Sequence, residues 1–235
     1  MFLSRMTLNP QRRGTRLLRS NPQAMHAAVM AAFPPGAEAR PLWRLDVGRT
    51  TLDLLIASST RPSFEHLQEQ AGWTAQPSWE SREYGPLLDR LQRGQRYGFR
   101  LTANPSHVAE VRPGVKRRVG HVSPQHQLRW LMERQDRMGV SILDSAGLAT
   151  SAGVQPETVD GTAMARITGR RRLEFRHGAS PITLVQADYE GHLEVVKPDE
   201  LREALRAGVG RGKAYGCGLL TLAPVAPAAS ASASA

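Results

Sequence analysis

Two hydrophobic periods alternate along roughly the first hundred residues, and their order restricts the fold more than any other feature of the chain. "FLSRMTL" sets Phe2, Met6 and Leu8 on one face of a half-buried strand. "NPQAMHAAVMAAF" spaces Met25, Val29 and Phe33 at four-residue intervals, the stripe of a helix packed on a core. Asn21 suits its N-cap, Pro22 its first turn, and Pro34, Pro35 and Gly36 end it. "PLWRLDV" and "TLDLLIASS" read as strands, "SFEHLQEQ" as a short helix from Ser63, and "RYGFRLTANP" as a strand with Tyr97, Phe99 and Leu101 alternating. The resulting order, β-α-β-β-α-β, is the ferredoxin-like order shared with RRM domains. Between the first strand and helix, "NPQRRGTRLLRS" reads as a polar, basic loop.

The second half carries the same ingredients less regularly. "SPQHQLRWLMERQDRM" is a helix capped by Ser123, and "KPDELREALRAG" is another. "VSILDS", "GTAMARITG", "RRLEFRH" and "ITLVQADYEGHLEVV" read as strands, the last split by Glu190-Gly191 into a hairpin. The expected fold is α+β: two tandem ferredoxin-like (RRM-like) domains, the second elaborated, with a C-terminal glycine-rich loop. The expected boundaries are 1–105 for the first domain, 106–115 for a linker and 116–224 for the second. The Pro, Ala and Ser of 225–235 form a tail unable to bury a core.

Charge is distributed unevenly. The formal net charge is +10, and arginine dominates the positive side. No acid precedes Glu38, whereas Arg5, Arg12, Arg13, Arg16 and Arg19 do; none follows Glu203, whereas Arg206, Arg211 and Lys213 do. If the two ends meet, they make a basic surface suited to a polyanion. Cys217 is the single cysteine, so neither an internal disulfide nor a thiolate zinc site is expected. His121 and His126, five apart, fall on different faces of any helix, so no metal site is expected. The sequence shows neither a secretory signal nor a membrane span, and a cytoplasmic protein is expected.

"RAGVGRGKAYGCG", residues 206–218, holds five glycines beside Arg211 and Lys213. A phosphate-cradling loop of the G-x-x-x-x-G-K-[ST] type needs a strand before, a helix after and a hydroxyl following the lysine. Here a helix precedes, a strand follows, and Ala214 stands after Lys213. The dinucleotide fingerprint fails on the same context. Gly208, Gly210, Gly212, Gly216 and Gly218 are more than one tight turn requires, so another backbone or a polyanion is expected to approach this loop closely.

Taken together and in order, "FLSRMTLNPQRR", "NPQAMHAAVMAAFP", "LWRLD", "FRLTANP", "YEGHLEVVKP" and "GVGRGKAYGCGLLTLAP" resemble the CasE (Cse3) family of CRISPR type I-E precursor-RNA endonucleases over about residues 1–224. The resemblance implies metal-independent, cofactor-free cleavage of CRISPR repeat RNA at the base of a stem-loop. In that reaction the RNA's 2′-OH attacks the adjacent phosphate and leaves a 2′,3′-cyclic phosphate and a 5′-OH. It also implies partners: the repeat RNA, the mature crRNA, and the other subunits of the type I-E Cascade complex, without a membrane. A non-cleaving RNA-binding subunit of the same architecture is the alternative.

His26 stands beside the core stripe of its helix, at the edge where an imidazole reaches a ligand and shuttles protons near neutral pH. The family resemblance places the catalytic histidine there. Family members often carry Tyr three residues earlier, where this chain has Gln23, an amide with no acid–base capacity. Charge against the phosphorane could come from Lys213, Arg211, Arg12, Arg13 or Arg16. Two further RNA-binding clusters are Lys116, Arg117 and Arg118 with the preceding Arg112, and Arg170, Arg171, Arg172 and Arg176, with Arg172 and Arg176 on one strand face and Arg171 on the other.

Overall fold

The computed structural model describes residues 1–36, 40–75, 77–143, 165–178 and 180–225. The first sheet contains β1 (Phe2–Leu8), β2 (Leu42–Val47), β3 (Leu52–Ser58) and β4 (Trp79–Glu83), in the order β2-β3-β1-β4 with every pair antiparallel. That is the ferredoxin-like arrangement. Its core of Met6, Leu8, Leu54 and Ile56 is covered by α2 (Pro22–Met30), through Met25 and Val29, and by α3 (Glu65–Ala71), through Leu67 and Ala71. Asn21 caps α2 by accepting from the Gln23 and Ala24 amides at 3.0 and 3.2 Å, as its sequence indicates.

The segment expected as a basic loop instead forms α1 (Arg13–Ser20). Thr15 and Leu18, three apart, are buried on one side while Arg13, Arg16 and Arg19 stay exposed. The charged face hides a narrow apolar stripe.

The second sheet has the order β11-β5-β10-β8, built from β5 (Arg96–Ala103), β8 (Val140–Ile142), β10 (Ser180–Val195) and β11 (Leu220–Pro224). A fifth strand, β9 (Arg166–His177), pairs with β10 along the same edge as β8, at its other end. Taking β8 and β9 as one interrupted strand, this is a second ferredoxin-like sheet. Its helices are α5 (Pro124–Met132), α6 (Gln135–Met138) and α7 (Pro198–Ala207). A short α4 (Gly85–Asp89) joins the two halves, and Leu88 packs in the second core beside Leu101, Tyr189 and Leu201.

Three further expectations are corrected. The strand 96–103, expected to close the first domain, pairs with β10 and β11, so it opens the second; β4 closes the first sheet instead. The alternation of 96–103 marks a strand, but pairing partners are not written in a strand's own sequence. The span expected as a linker, 106–115, begins a hairpin of β6 (Ser106–Arg112) and β7 (Val115–Gly120), turning at Gly114 with φ +73°. Glu190-Gly191 does not turn: β10 is continuous, with Gly191 opposite Phe99 on β5. The tail expectation for 225–235 falls almost wholly outside the described residues. Among the described residues no helix is long and apolar enough to cross a membrane.

The two sheets meet at a small apolar cluster of Leu42, Ala57 and Leu219. Beside it lies Arg44 on β2, only 1% exposed. Its guanidinium pairs with Asp46 at 2.6 and 3.0 Å. It also donates to the carbonyls of Arg100 and Leu219 at 2.9 and 3.0 Å and to the Thr221 hydroxyl at 2.9 Å. A buried cation satisfied this fully ties the first sheet to β5 and β11 of the second.

Candidate functional site

The glycine run begins as α7 ends at Gly208 and continues through a 3-10 turn, Lys213–Tyr215, before β11. All five glycines have positive φ, from +77° at Gly208 to +95° at Gly218. Their close neighbours belong to the protein itself: backbone of Val209 at Gly218, and side chains first at the other four. A Cβ at Gly210 would lie 2.9 Å from Trp130 of α5, and one at Gly216 would lie 2.8 Å from Trp43 of β2. The loop is therefore held between one tryptophan from each half of the molecule. Gly218 N–H donates to Thr102 O at 2.7 Å, Val209 N–H donates to Gly218 O at 2.9 Å, and Arg211 bridges to Asn104. Gln186 donates to Tyr215 O at 2.7 Å and to Cys217 Sγ at 3.4 Å, and burial pushes the Cys217 thiol up to about 12.

This docking carries Tyr215 to α2. The Tyr215 and His26 ring centroids are 6.2 Å apart, with planes inclined by 60°. Phe175 of β9 meets the other side of Tyr215 edge-on at 4.6 Å. His26 is half-buried in the second turn of α2, and Gln23, one turn earlier, donates its side-chain amide to the Arg176 carbonyl. Four segments distant in sequence thus converge: α2, the end of β9, the edge of β10 and the glycine loop. A cavity of about 70 Å³ beside Tyr215 is lined by Arg19, Thr102, Arg171 and Gln186. The Arg171 guanidinium lies 3.3 Å from Asp188, which accepts from Thr102 Oγ1 at 2.5 Å.

The basic clusters occupy different places. On β9, Arg166, Arg170, Arg172 and Arg176 are exposed and Arg171 is half-buried, so the face division expected from alternation holds. The exposed face runs from Arg170, which donates to the Val122 carbonyl, to Arg176 beside α2. Arg172 is paired with Glu174 at 2.7 Å. Lys116, Arg117 and Arg118 are exposed on β7. Arg13 and Arg16 are exposed on α1, but Arg12 is engaged, donating to the Glu69 and Gly72 carbonyls at 2.6 and 3.2 Å. Arg211 is exposed and Lys213 half-buried, both ahead of Tyr215. The acid-free ends of the chain do meet, through contacts of the 3-10 turn with α2.

Tyr215 and Arg19 were missed by sequence reasoning. Arg19 lay in the acid-free N-terminal stretch; Tyr215 had no signal beyond its glycine surroundings. Among the described residues, no three of His, Cys, Asp and Glu converge as metal ligands.

Comparison with known proteins adds four findings to this geometry. A family model described as "CRISPR associated protein" matches residues 1–224. The CRISPR-associated endoribonuclease Cse3 of Thermus thermophilus is 33% identical over 230 residues, covering 95% of this chain and 100% of the relative. The structure of Thermus thermophilus Cse3 bound to an RNA representing a pre-cleavage complex is similar with a TM-score of 0.73 at 29% identity, covering 95% of this chain and 98% of that one. The fold extends to Cas6e of Escherichia coli K-12, with a TM-score of 0.55 at 20% identity, covering 96% of this chain and 100% of that one.

Proposed function

This chain belongs to the Cse3 (CasE) family of CRISPR-associated proteins, and from that premise we propose that it is an endoribonuclease that cuts CRISPR repeat RNA at the base of a stem-loop. The observation that carries the reading is the meeting of His26 and Tyr215 at the end of the basic β9 face, in a junction that both halves of the molecule build.

The reaction needs two proton transfers and no metal. His26 takes the proton of the 2′-OH as its oxygen forms a bond to phosphorus. The P–O5′ bond breaks, the 5′-oxygen receives the proton that His26 took, and a 2′,3′-cyclic phosphate remains. Gln23 contributes no acid–base chemistry; its amide fastens α2 to β9. The phenol that position 23 lacks comes instead from Tyr215, whose hydroxyl donates a hydrogen bond toward the phosphate. Arg19 and Arg171, bordering the cavity beside Tyr215, supply positive charge near the developing phosphorane. The exposed β9 arginines and β7 hold the stem through its phosphates. The product stays bound, and the protein serves as a subunit of the type I-E Cascade complex in the cytoplasm. A non-cleaving RNA-binding subunit is the second reading, favoured by the structural engagement of Gln23.

The test incubates the protein with its own repeat RNA in EDTA, beside His26→Ala and Tyr215→Phe. Wild type should cut at one position to a 2′,3′-cyclic phosphate and a 5′-OH. His26→Ala should bind without cutting, and Tyr215→Phe should slow cutting by about 10–100-fold. Binding without cleavage by wild type selects the second reading; cleavage by His26→Ala removes His26 from the chemistry.

A further inference from the structure

On the side of the glycine loop that faces α5 rather than α2 lies a second cavity, of about 610 Å³. Its walls come from the base of the β6–β7 hairpin, from α5 and α6, from α7 and from the loop. Five cations line it, Arg118, Arg134, Arg137, Arg211 and Lys213, against one carboxylate, Glu203. Among the described residues, none of Arg118, Arg137, Arg211 and Lys213 is paired with a carboxylate. Arg134 is held in place: its guanidinium stacks 3.9 Å over the Trp130 ring, and it donates to Trp130 O at 2.7 Å. Burial, and then repulsion from Arg137 and Arg118, lowers its pKa, with Glu133 opposing. A folded chain does not gather like charges around a hollow without cost, and an anion relieves that cost.

We propose that this cavity binds the phosphodiester backbone of unpaired RNA adjoining the stem. The inference rests on the RNA-processing reading above and extends it to a second contact. The cavity's size is that of a site for one or two nucleotides, within the range of about 300–1,000 Å³ common for small-ligand pockets, and far below the width of a duplex. Its chemistry is that of a backbone reader. Trp130 is 3% exposed and already covered by Arg134, so it offers no platform for a base. Recognition by forked guanidinium groups without base stacking is tolerant of sequence. Lys213 lines this cavity and Tyr215, two residues on, meets His26, so a strand lying here leads along the loop toward the cleavage site.

The experiment compares a bare repeat hairpin with the same hairpin carrying an unpaired oligouridine extension, on the 5′ or the 3′ side. Both carry a 2′-deoxy residue at the cleavage site, so that binding is read without turnover. Wild type should prefer one extended RNA. Two phosphate contacts add about 1.4 to the log–log salt slope, so the preference should shrink about sevenfold between about 50 and 200 mM salt. Arg137→Glu, on an exposed position of α6, should abolish the preference and leave the bare hairpin's affinity unchanged, with a melting temperature no lower than that of wild type because repulsion around the cavity is relieved. Arg134→Gln should reduce the preference in the same direction. A preference that survives Arg137→Glu overturns the proposal, as does equal weakening of both RNAs. An oligoaspartate that binds wild type but not Arg137→Glu, with no extension effect, would assign the cavity to an acidic protein instead. Failure of wild type to bind even the bare hairpin would overturn the underlying RNA reading.

Discussion

Gly216→Ala isolates what the docked glycine loop contributes to the site. The substitution acts in two ways. A methyl group at φ +78° costs about 1–2 kcal/mol in backbone strain. That methyl would also sit 2.8 Å from Cζ3 and 3.1 Å from the adjacent ring carbon of Trp43, a buried side chain whose rigid ring cannot swing aside. Overpacking of this kind costs about a further 1–3 kcal/mol. Gly94→Ala supplies the control: its φ is +86°, yet no heavy atom lies within 4 Å of the added carbon. The two variants share the strain and differ in the clash, so Gly216→Ala should be less stable than Gly94→Ala by about 1–3 kcal/mol in urea denaturation. The loop relieves the clash by moving off β2, which takes Tyr215 from His26. Displacement of about 1 Å suffices to lower cleavage about 10²-fold, while Gly94→Ala should cut at the wild-type rate. Equal destabilisation of the two variants would refute the packing argument. Normal cleavage by a destabilised Gly216→Ala would refute the link between docking and catalysis.

Two further outcomes follow from the buried polar groups. Arg44→Met strips Asp46 of its closest partner and leaves two carbonyls and a hydroxyl without their donor. It should cost about 3–5 kcal/mol by chemical denaturation, and a loss under about 1 kcal/mol would show that the tie between the sheets is dispensable. His121 stacks on His107 at 4.4 Å and lies 5.8 Å from His126, and burial, followed by repulsion from these two rings, lowers its pKa. The unfolded chain therefore takes up the proton first: stability present above the usual histidine pKa of about 6.5 should decline as pH falls toward the lower folded value. His121→Phe should flatten that decline in melts across pH, and an unchanged slope would exclude the cluster as its origin.

Local signals fixed much of the architecture. Asn21-Pro22 marked the start of α2 because a cap and a first-turn proline act within one turn. Alternation marks β1 and β5 as strands, but nothing in "RYGFRLTA" distinguishes a partner in the first sheet from one in the second. Helix α1 is not announced by its sequence because only Thr15 and Leu18 are buried on it, too few to stand out among three arginines. At the site, His26 was legible from its place beside the α2 stripe together with a family resemblance. Tyr215 was not, since its proximity to His26 depends on where the glycine loop docks. The five glycines suggested close approach correctly, and the approaching groups next to two of them are indole rings, which no local pattern announces.

The loop's grip on both tryptophans has a consequence for the chain as it leaves the ribosome. His26 emerges early and its helix can form at once, since its cap and core stripe are local. Tyr215 emerges only after nearly all of the second sheet, and the loop cannot seat until Trp43 and Trp130 are both in place. A nascent or truncated chain that carries His26 but has not seated the loop therefore lacks the pairing of His26 with Tyr215. The last loop to be made completes the junction: only chains that have assembled both halves bring Tyr215 to His26.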